Sequence, residues 1–161
     1  MARVILLVDD DADFTLLVQN AFAKTWPAAN LYCVSDGEEA IHYLLGDEHY
    51  SDRKRFPIPS LMLLDLRMPR VSGFEVLEWK RGFLGMNSLP VVVWSSSNLT
   101  EDAQRACSLG AVAYLAKPMA LEDYAEFVGH LKNFFELPDE IRTSPWVWSG
   151  LSNVEHALAA E

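Results

Sequence analysis

The sequence is poor in cysteine, in basic residues and in long apolar runs. Only two of its 161 residues are cysteine. Cys33 and Cys107 lie far apart without CxxC spacing, which leaves a disulfide framework or a zinc site without support and marks both as buried small hydrophobes. No window approaches the roughly 18 apolar residues of a membrane span. The first apolar run, Val4 to Val8, is too short for a signal-peptide core and has no small-residue cleavage site, so the expected location is the cytoplasm. Lys and Arg number 13 against 23 Asp and Glu, a net charge of −10. That surplus repels a polyanion and excludes nucleic acid as the first choice of partner. His42, His49, His130 and His156 are scattered, without metal-ligand spacing. Neither an internal repeat nor a low-complexity tract is present.

What is present is a globular composition, 50% hydrophobic and 22% charged. The length fits one domain with a short appendage. Short apolar runs alternate with segments of helical period, the pattern of βαβ units and a parallel sheet. The predicted strands are Val4–Val8, Leu31–Val34, Leu61–Leu64, Val91–Trp94 and Val112–Leu115. Between them, Phe14, Leu17, Val18, Ala21 and Phe22 form one helical stripe. Asp36 with Glu39 predicts a capping box for a second helix, and Ser72 with Glu75 one for a third, running to about Arg81. A fourth helix starts near Asn98 or Thr100 and ends at Gly110. The fifth runs from about Ala120 to Glu136, with Leu121, Tyr124, Val128, Leu131 and Phe135 as its core stripe. Gly46 to Ser60 reads as a long polar surface loop, with Arg53, Lys54 and Arg55 solvated.

In an open α/β sheet the functional crevice lies beyond the carboxyl ends of the strands. The residues there are Asp9 and Asp10, Asp65, Ser95 and Lys117. Three carboxylates crowded at one edge repel one another unless a cation sits between them, and a hard divalent ion such as Mg²⁺ resolves the conflict. A metal held by carboxylates, with a hydroxyl and an ammonium at the rim, is a receptor for a phosphoryl group. Asp65 is the candidate oxygen nucleophile, because it ends the central run and Met68-Pro69 turns the chain away behind it.

From Arg3 to about Phe135 the chain resembles the response-regulator receiver domains of two-component signalling. The resemblance rests on Leu7-Val8-Asp9-Asp10, on Leu63 to Pro69 with Gly73 behind it, on Pro90 to Ser95, and on Tyr114 with Lys117-Pro118. It implies a doubly wound five-stranded parallel (βα)5 sheet, flavodoxin-like and CheY-like, with strand order 2-1-3-4-5. It implies that Asp65 takes a phosphoryl group from a phosphohistidine of a sensor histidine kinase. Asp10 would ligate Mg²⁺ directly, Asp9 mostly through water, and Asp65 and the main-chain carbonyl of Arg67 would complete the protein's share. Lys117 would bond a phosphoryl oxygen, Ser95 would move toward another, and Tyr114 would turn inward as the aromatic switch. The long loop and the tail resemble the stand-alone receivers that serve bacterial phytochromes.

Several positions depart from the family's commonest pattern. Arg67 stands where Asn is frequent, and its cation is expected to screen an acyl phosphate from water. Ser72 replaces Asp, Ser95 replaces Thr with the same hydroxyl, and Ser96 is small enough to leave the phosphate pocket open. The resulting division is a receiver over 1–136 and an extension over 137–161 without an effector domain, so that output passes through the protein's own surface to a downstream or phosphotransfer protein. Phe127, Phe134, Trp146 and Trp148 are the candidate partner surface, with dimerisation through the last helix. Two alternatives stay open. A Mg²⁺-dependent phosphohydrolase of the haloacid-dehalogenase type would use a D-x-D-x-[TV] motif, which Asp9 and Asp11 begin and Asp13 breaks. A receiver that never accepts phosphate would be a scaffold.

Overall fold

The computed structural model describes residues 2–97 and 100–136. These form five strands and five α-helices in strict alternation: β1 Val4–Val8, α1 Ala12–Thr25, β2 Asn30–Val34, α2 Gly37–Leu45, β3 Leu61–Leu64, α3 Gly73–Gly82, β4 Val91–Ser95, α4 Thr100–Ser108, β5 Ala113–Ala116 and α5 Leu121–Glu136. All neighbouring strands are parallel and the order is β2-β1-β3-β4-β5. The central strands β1, β3 and β4 are buried on both faces, which is why they read as unbroken apolar runs rather than alternating ones. Among the described residues no helix is long and apolar enough to cross a membrane.

Two cores flank the sheet. On one face α1 and α5 pack together through Phe14, Val18, Phe22, Tyr124, Val128 and Leu131. On the other, α2, α3 and α4 cover Leu6, Met62, Leu64 and Val93. The sheet's carboxyl edge is fixed by register. Val8 pairs with both Val34 and Leu64, the N–H of Asp65 donates to Val8 O, and the N–H of Lys117 donates to Ser95 O. Residues far apart in sequence therefore arrive at one rim.

Three helix starts are set by short polar side chains. Asp11 accepts from the N–H groups of Asp13 and Phe14 to open α1, and Ser72 and Glu75 form the expected reciprocal box on α3. At α2 the box is only half made. Asp36 accepts from Glu39 N–H, but the Glu39 carboxylate reaches the N–H and hydroxyl of Ser35 instead of Asp36.

The segment before β3 is exposed at Lys54 and Arg55, as its polarity predicts, but it is anchored at Tyr50 and Arg53. Tyr50 is buried, its ring 5.0 Å from those of both Tyr43 and Phe56, and its hydroxyl donates to Glu39 Oε1 at 2.6 Å. Arg53 donates from Nη1 to Tyr43 O and from Nη2 to Leu44 O, both at 2.7 Å. It thereby adds donors to carbonyls at the end of α2, where the helix dipole favours a cation. Arg53→Ala is expected to destabilise the fold by about 1.5–3 kcal/mol, the range for hydrogen bonds to charged groups. The check is a lower urea midpoint at unchanged slope.

Three further expectations are corrected. Phe127, proposed for a partner surface, is buried with its ring 4.2 Å from that of Trp94, whereas Leu121, assigned to the core stripe, is exposed. The inward face of α5 is Tyr124, Phe127, Val128 and Leu131, spaced i, i+3, i+4, i+7, and Leu121 sits on the first turn beyond the edge of the core. Phe134 lies on α5, but its side chain, with all of Trp146 and Trp148, lies outside the described residues. Cys33 and Cys107 are free and half-buried rather than buried.

Candidate functional site

Each acidic residue at the rim is placed by the strand it terminates. Asp9 and Asp10 follow β1 and Asp65 follows β3, its neighbour in the sheet. One oxygen from each carboxylate lies within 4.8 Å of the other two. Asp9 and Asp65 are buried and Asp10 faces outward. Lys117, just past β5, puts its ammonium 2.6 Å from Asp9 Oδ2 and 3.5 Å from Asp65 Oδ2. The same ammonium stands 4.1 Å from the ring centroid of Phe14. That ring walls the cation on one side and favours it electrostatically.

The electrostatics follow from burial. Desolvation pushes the carboxyl groups of Asp9 and Asp65 above their ordinary range. Lys117 pulls both down, and each aspartate has a neighbouring carboxylate raising it again: Asp10 for Asp9, Asp9 for Asp65. The backbone N–H groups of Leu66 and Arg67 also favour the anionic form of Asp65. One ammonium thus balances three carboxylates, and Asp65 Oδ1 is buried without a hydrogen-bond donor. A hard cation that takes oxygen ligands fits this donor set, since it would meet the buried oxygen and the excess negative charge together.

The remaining predicted residues are distributed around this centre. Ser95 ends β4, fully buried, and its hydroxyl accepts from Ser97 N–H at 3.2 Å. Ser96 is exposed, which leaves the rim open beside it. Tyr114 is already inside the protein, with its hydroxyl donating to Ser97 O at 2.7 Å. Arg67 does not hover over Asp65: its Nη2 donates to Asp102 Oδ2 on α4 at 2.7 Å. Arg70, in the left-handed region at φ 64°, pairs with Asp36 at the start of α2.

Four residues that bear on the site, Phe14, Asp36, Ser97 and Asp102, escaped its assignment from sequence. Phe14 reads as one more core residue of α1, Asp36 and Asp102 as helix-start acids, and Ser97 as part of a serine run. Only Ser97, two residues past Ser95, stands near a residue singled out by the strand ends.

Comparison with known proteins agrees with the geometry. The family "Response regulator receiver domain" matches residues 5–128. A probable methanogenesis regulatory protein of Methanothrix harundinacea, FilR2, is 33% identical over 82% of this chain and 83% of its own. Response regulator Rcp1 of Synechocystis is 31% identical over 83% of this chain and 88% of its own. Rcp1 has been solved in a Mn²⁺-bound form, which superposes with a TM-score of 0.72 over 83% of this chain and 94% of that one. A response regulator in red-light signalling of R. palustris gives a TM-score of 0.77 at 34% identity, over 82% of this chain and 92% of that one. The family match, the strand order and the acidic rim coincide, and this chain belongs to the response-regulator receiver-domain family of two-component signalling.

Proposed function

We propose that Asp65 is the phosphoacceptor and that the protein works as a Mg²⁺-dependent switch of protein contacts. The observation that carries this reading is the convergence of Asp9, Asp10 and Asp65 within 4.8 Å, with the Lys117 ammonium against two of them. An Asp65 carboxylate oxygen attacks the phosphorus of a phosphohistidine, the P–N bond breaks, and the imidazole leaves. Asp9, Asp10, Asp65 and the Arg67 carbonyl would hold Mg²⁺, whose positive charge would stabilise the transferring oxygens. Lys117 supplies a second cation, and the N–H groups after Asp65 donate to the developing charge. The only chemistry is the protein's own phosphorylation and the later loss of that phosphate.

Relatives named as phytochrome and bacteriophytochrome response regulators support a cytoplasmic sensor histidine kinase of the phytochrome type as donor. The receiver is assigned to 1–136 and the remainder, 137–161, to an extension. With Phe127 buried, the case for dimerisation through α5 loses its main residue. Neither the relatives nor the geometry support a haloacid-dehalogenase-type hydrolase: Asp11, the second acid of its motif, is occupied in capping α1.

The test is incubation with Mg²⁺ and acetyl phosphate, with the added phosphate located by peptide mass spectrometry. Label on Asp65 is expected. Continuous phosphate release through Asp9 would instead mean a hydrolase, and no label a scaffold. Lys117→Ala is expected to keep labelling at a rate reduced on the order of 100-fold, as when one donor to a developing anion is removed.

A further inference from the structure

The side chain of Arg67 joins the phosphoacceptor loop to helix α4. Its guanidinium donates to Asp102 Oδ2 at 2.7 Å, and the same oxygen accepts from the Ser97 hydroxyl at 2.6 Å. The carbonyl of Ser97 holds the Tyr114 hydroxyl, and its N–H reaches the Ser95 hydroxyl. One buried carboxylate therefore ties the loop after β3, the loop after β4 and the first turn of α4 into a continuous set of bonds. Meanwhile the backbone N–H of Arg67 faces the carboxylate of Asp65. The main chain of Arg67 is at the reacting group and its charge is on α4.

We propose that Arg67 and Asp102 form a latch through which the state of Asp65 reaches α4: a phosphoryl group on Asp65 competes with Asp102 for the one guanidinium. The proposal rests on phosphate acceptance at Asp65. Three methylenes separate the guanidinium from a backbone already beside the acceptor. A phosphoryl group carries about −1.5 to −2 against −1 for Asp102, so it is the stronger attractor. When the guanidinium leaves, Asp102 keeps the Ser97 hydroxyl but loses its nearest cation, and the first turn of α4 loosens. Linkage makes the effect reciprocal: whatever the pair contributes to the resting state, it withholds from the phosphorylated one.

The two partners must then act with opposite signs on the phosphate and with the same sign on the helix. In Asp102→Asn the guanidinium is released to the phosphoryl group, and loss of label in the full chain is expected to slow about threefold. In Arg67→Ala no guanidinium can move to the phosphoryl group, and loss is expected to quicken about threefold, both sizes being those of an ion pair whose guanidinium is exposed. Without any phosphodonor, hydrogen exchange over residues 100–108 is expected to be faster than wild type in both variants, and in the wild type to quicken on labelling. Glu101→Gln removes a charge from the same helical turn and is expected to keep the wild-type lifetime. If both partner variants shift the lifetime in one direction, or Glu101→Gln copies Asp102→Asn, or α4 exchange is unchanged in labelled protein and in both variants, the latch is wrong. Absence of label in the wild type would overturn the Asp65 reading and the competition with it, while the exchange comparison between resting proteins would still report whether the pair holds α4.

Discussion

Asp65→Asn is expected to abolish labelling by acetyl phosphate completely and, in metal-free buffer at neutral pH, to melt higher than the wild type. Both follow from one carboxylate. An amide oxygen is too weak a nucleophile to accept the phosphoryl group, so no partial activity survives. The stability gain comes from the cost of the buried charge. Desolvation holds the folded-state pKa of Asp65 above its unfolded value, so the folded state binds more protons than the unfolded one between those two values. Stability is then lost as pH rises through that window, and the wild type carries this penalty while the amide carries none. Lys117 is not orphaned by the change, because Asp9 stays 2.6 Å from its ammonium. A midpoint higher by on the order of 2–4 °C corresponds to 1 kcal/mol for a chain of this size. Saturating Mg²⁺ reverses the ranking, since a ligand at 100 times its Kd stabilises the competent site by about 2.7 kcal/mol and the amide variant has lost one anionic ligand. Thermal melts of both proteins, with Mg²⁺ and with chelator, decide the matter: a wild type that melts higher than Asp65→Asn in chelator contradicts the stated electrostatics.

That balance of charge is legible in the sequence because it depends on chain-local facts. Each apolar run stops at a polar residue, and a parallel sheet brings the stops together, so Asp9, Asp65, Ser95 and Lys117 need no tertiary information to be singled out. β1 matches its predicted bounds for the same reason, as does the capping box of Ser72 and Glu75. What escapes is everything decided by one element packing on another. Arg53 reads as a surface cation until the end of α2 is beside it. Phe127 reads as surplus until the ring of Trp94 meets it. Arg67 stands out as unusual, but its guanidinium follows Asp102 on a helix 35 residues away, a pairing no local pattern records.

Gly73→Ala is expected to damage both the fold and the site, although the same change two turns later should help. At Gly73 the need is for space rather than for an unusual backbone angle. A Cβ there would stand 2.2 Å from the carbonyl oxygen of Asp65 and 2.9 Å from Leu66 Cα, both main-chain atoms that no rotamer can move. The close approach is fixed by the Gly73 N–H, which donates to Leu66 O at 3.0 Å and draws the start of α3 onto the loop that carries the phosphoacceptor. Alanine must push that loop aside. Overpacking of this kind costs about 1–3 kcal/mol and outweighs the roughly 0.5–1 kcal/mol by which alanine otherwise improves a helix. The displaced atoms belong to Asp65 itself, and a shift of about 1 Å in a reacting group can cost 100-fold in rate. Labelling by acetyl phosphate is therefore expected to fall by about that factor in protein that remains folded by circular dichroism. At Gly82, in the last turn of the same helix, an added methyl group would meet nothing within 4 Å, and Gly82→Ala is expected to label normally and to gain stability of about 0.5–1 kcal/mol. Opposite signs from one substitution on one helix would tie the loss at Gly73 to contact with the phosphoacceptor loop; wild-type labelling by Gly73→Ala would mean that the loop tolerates displacement and that the tight seat of α3 has no part in placing Asp65.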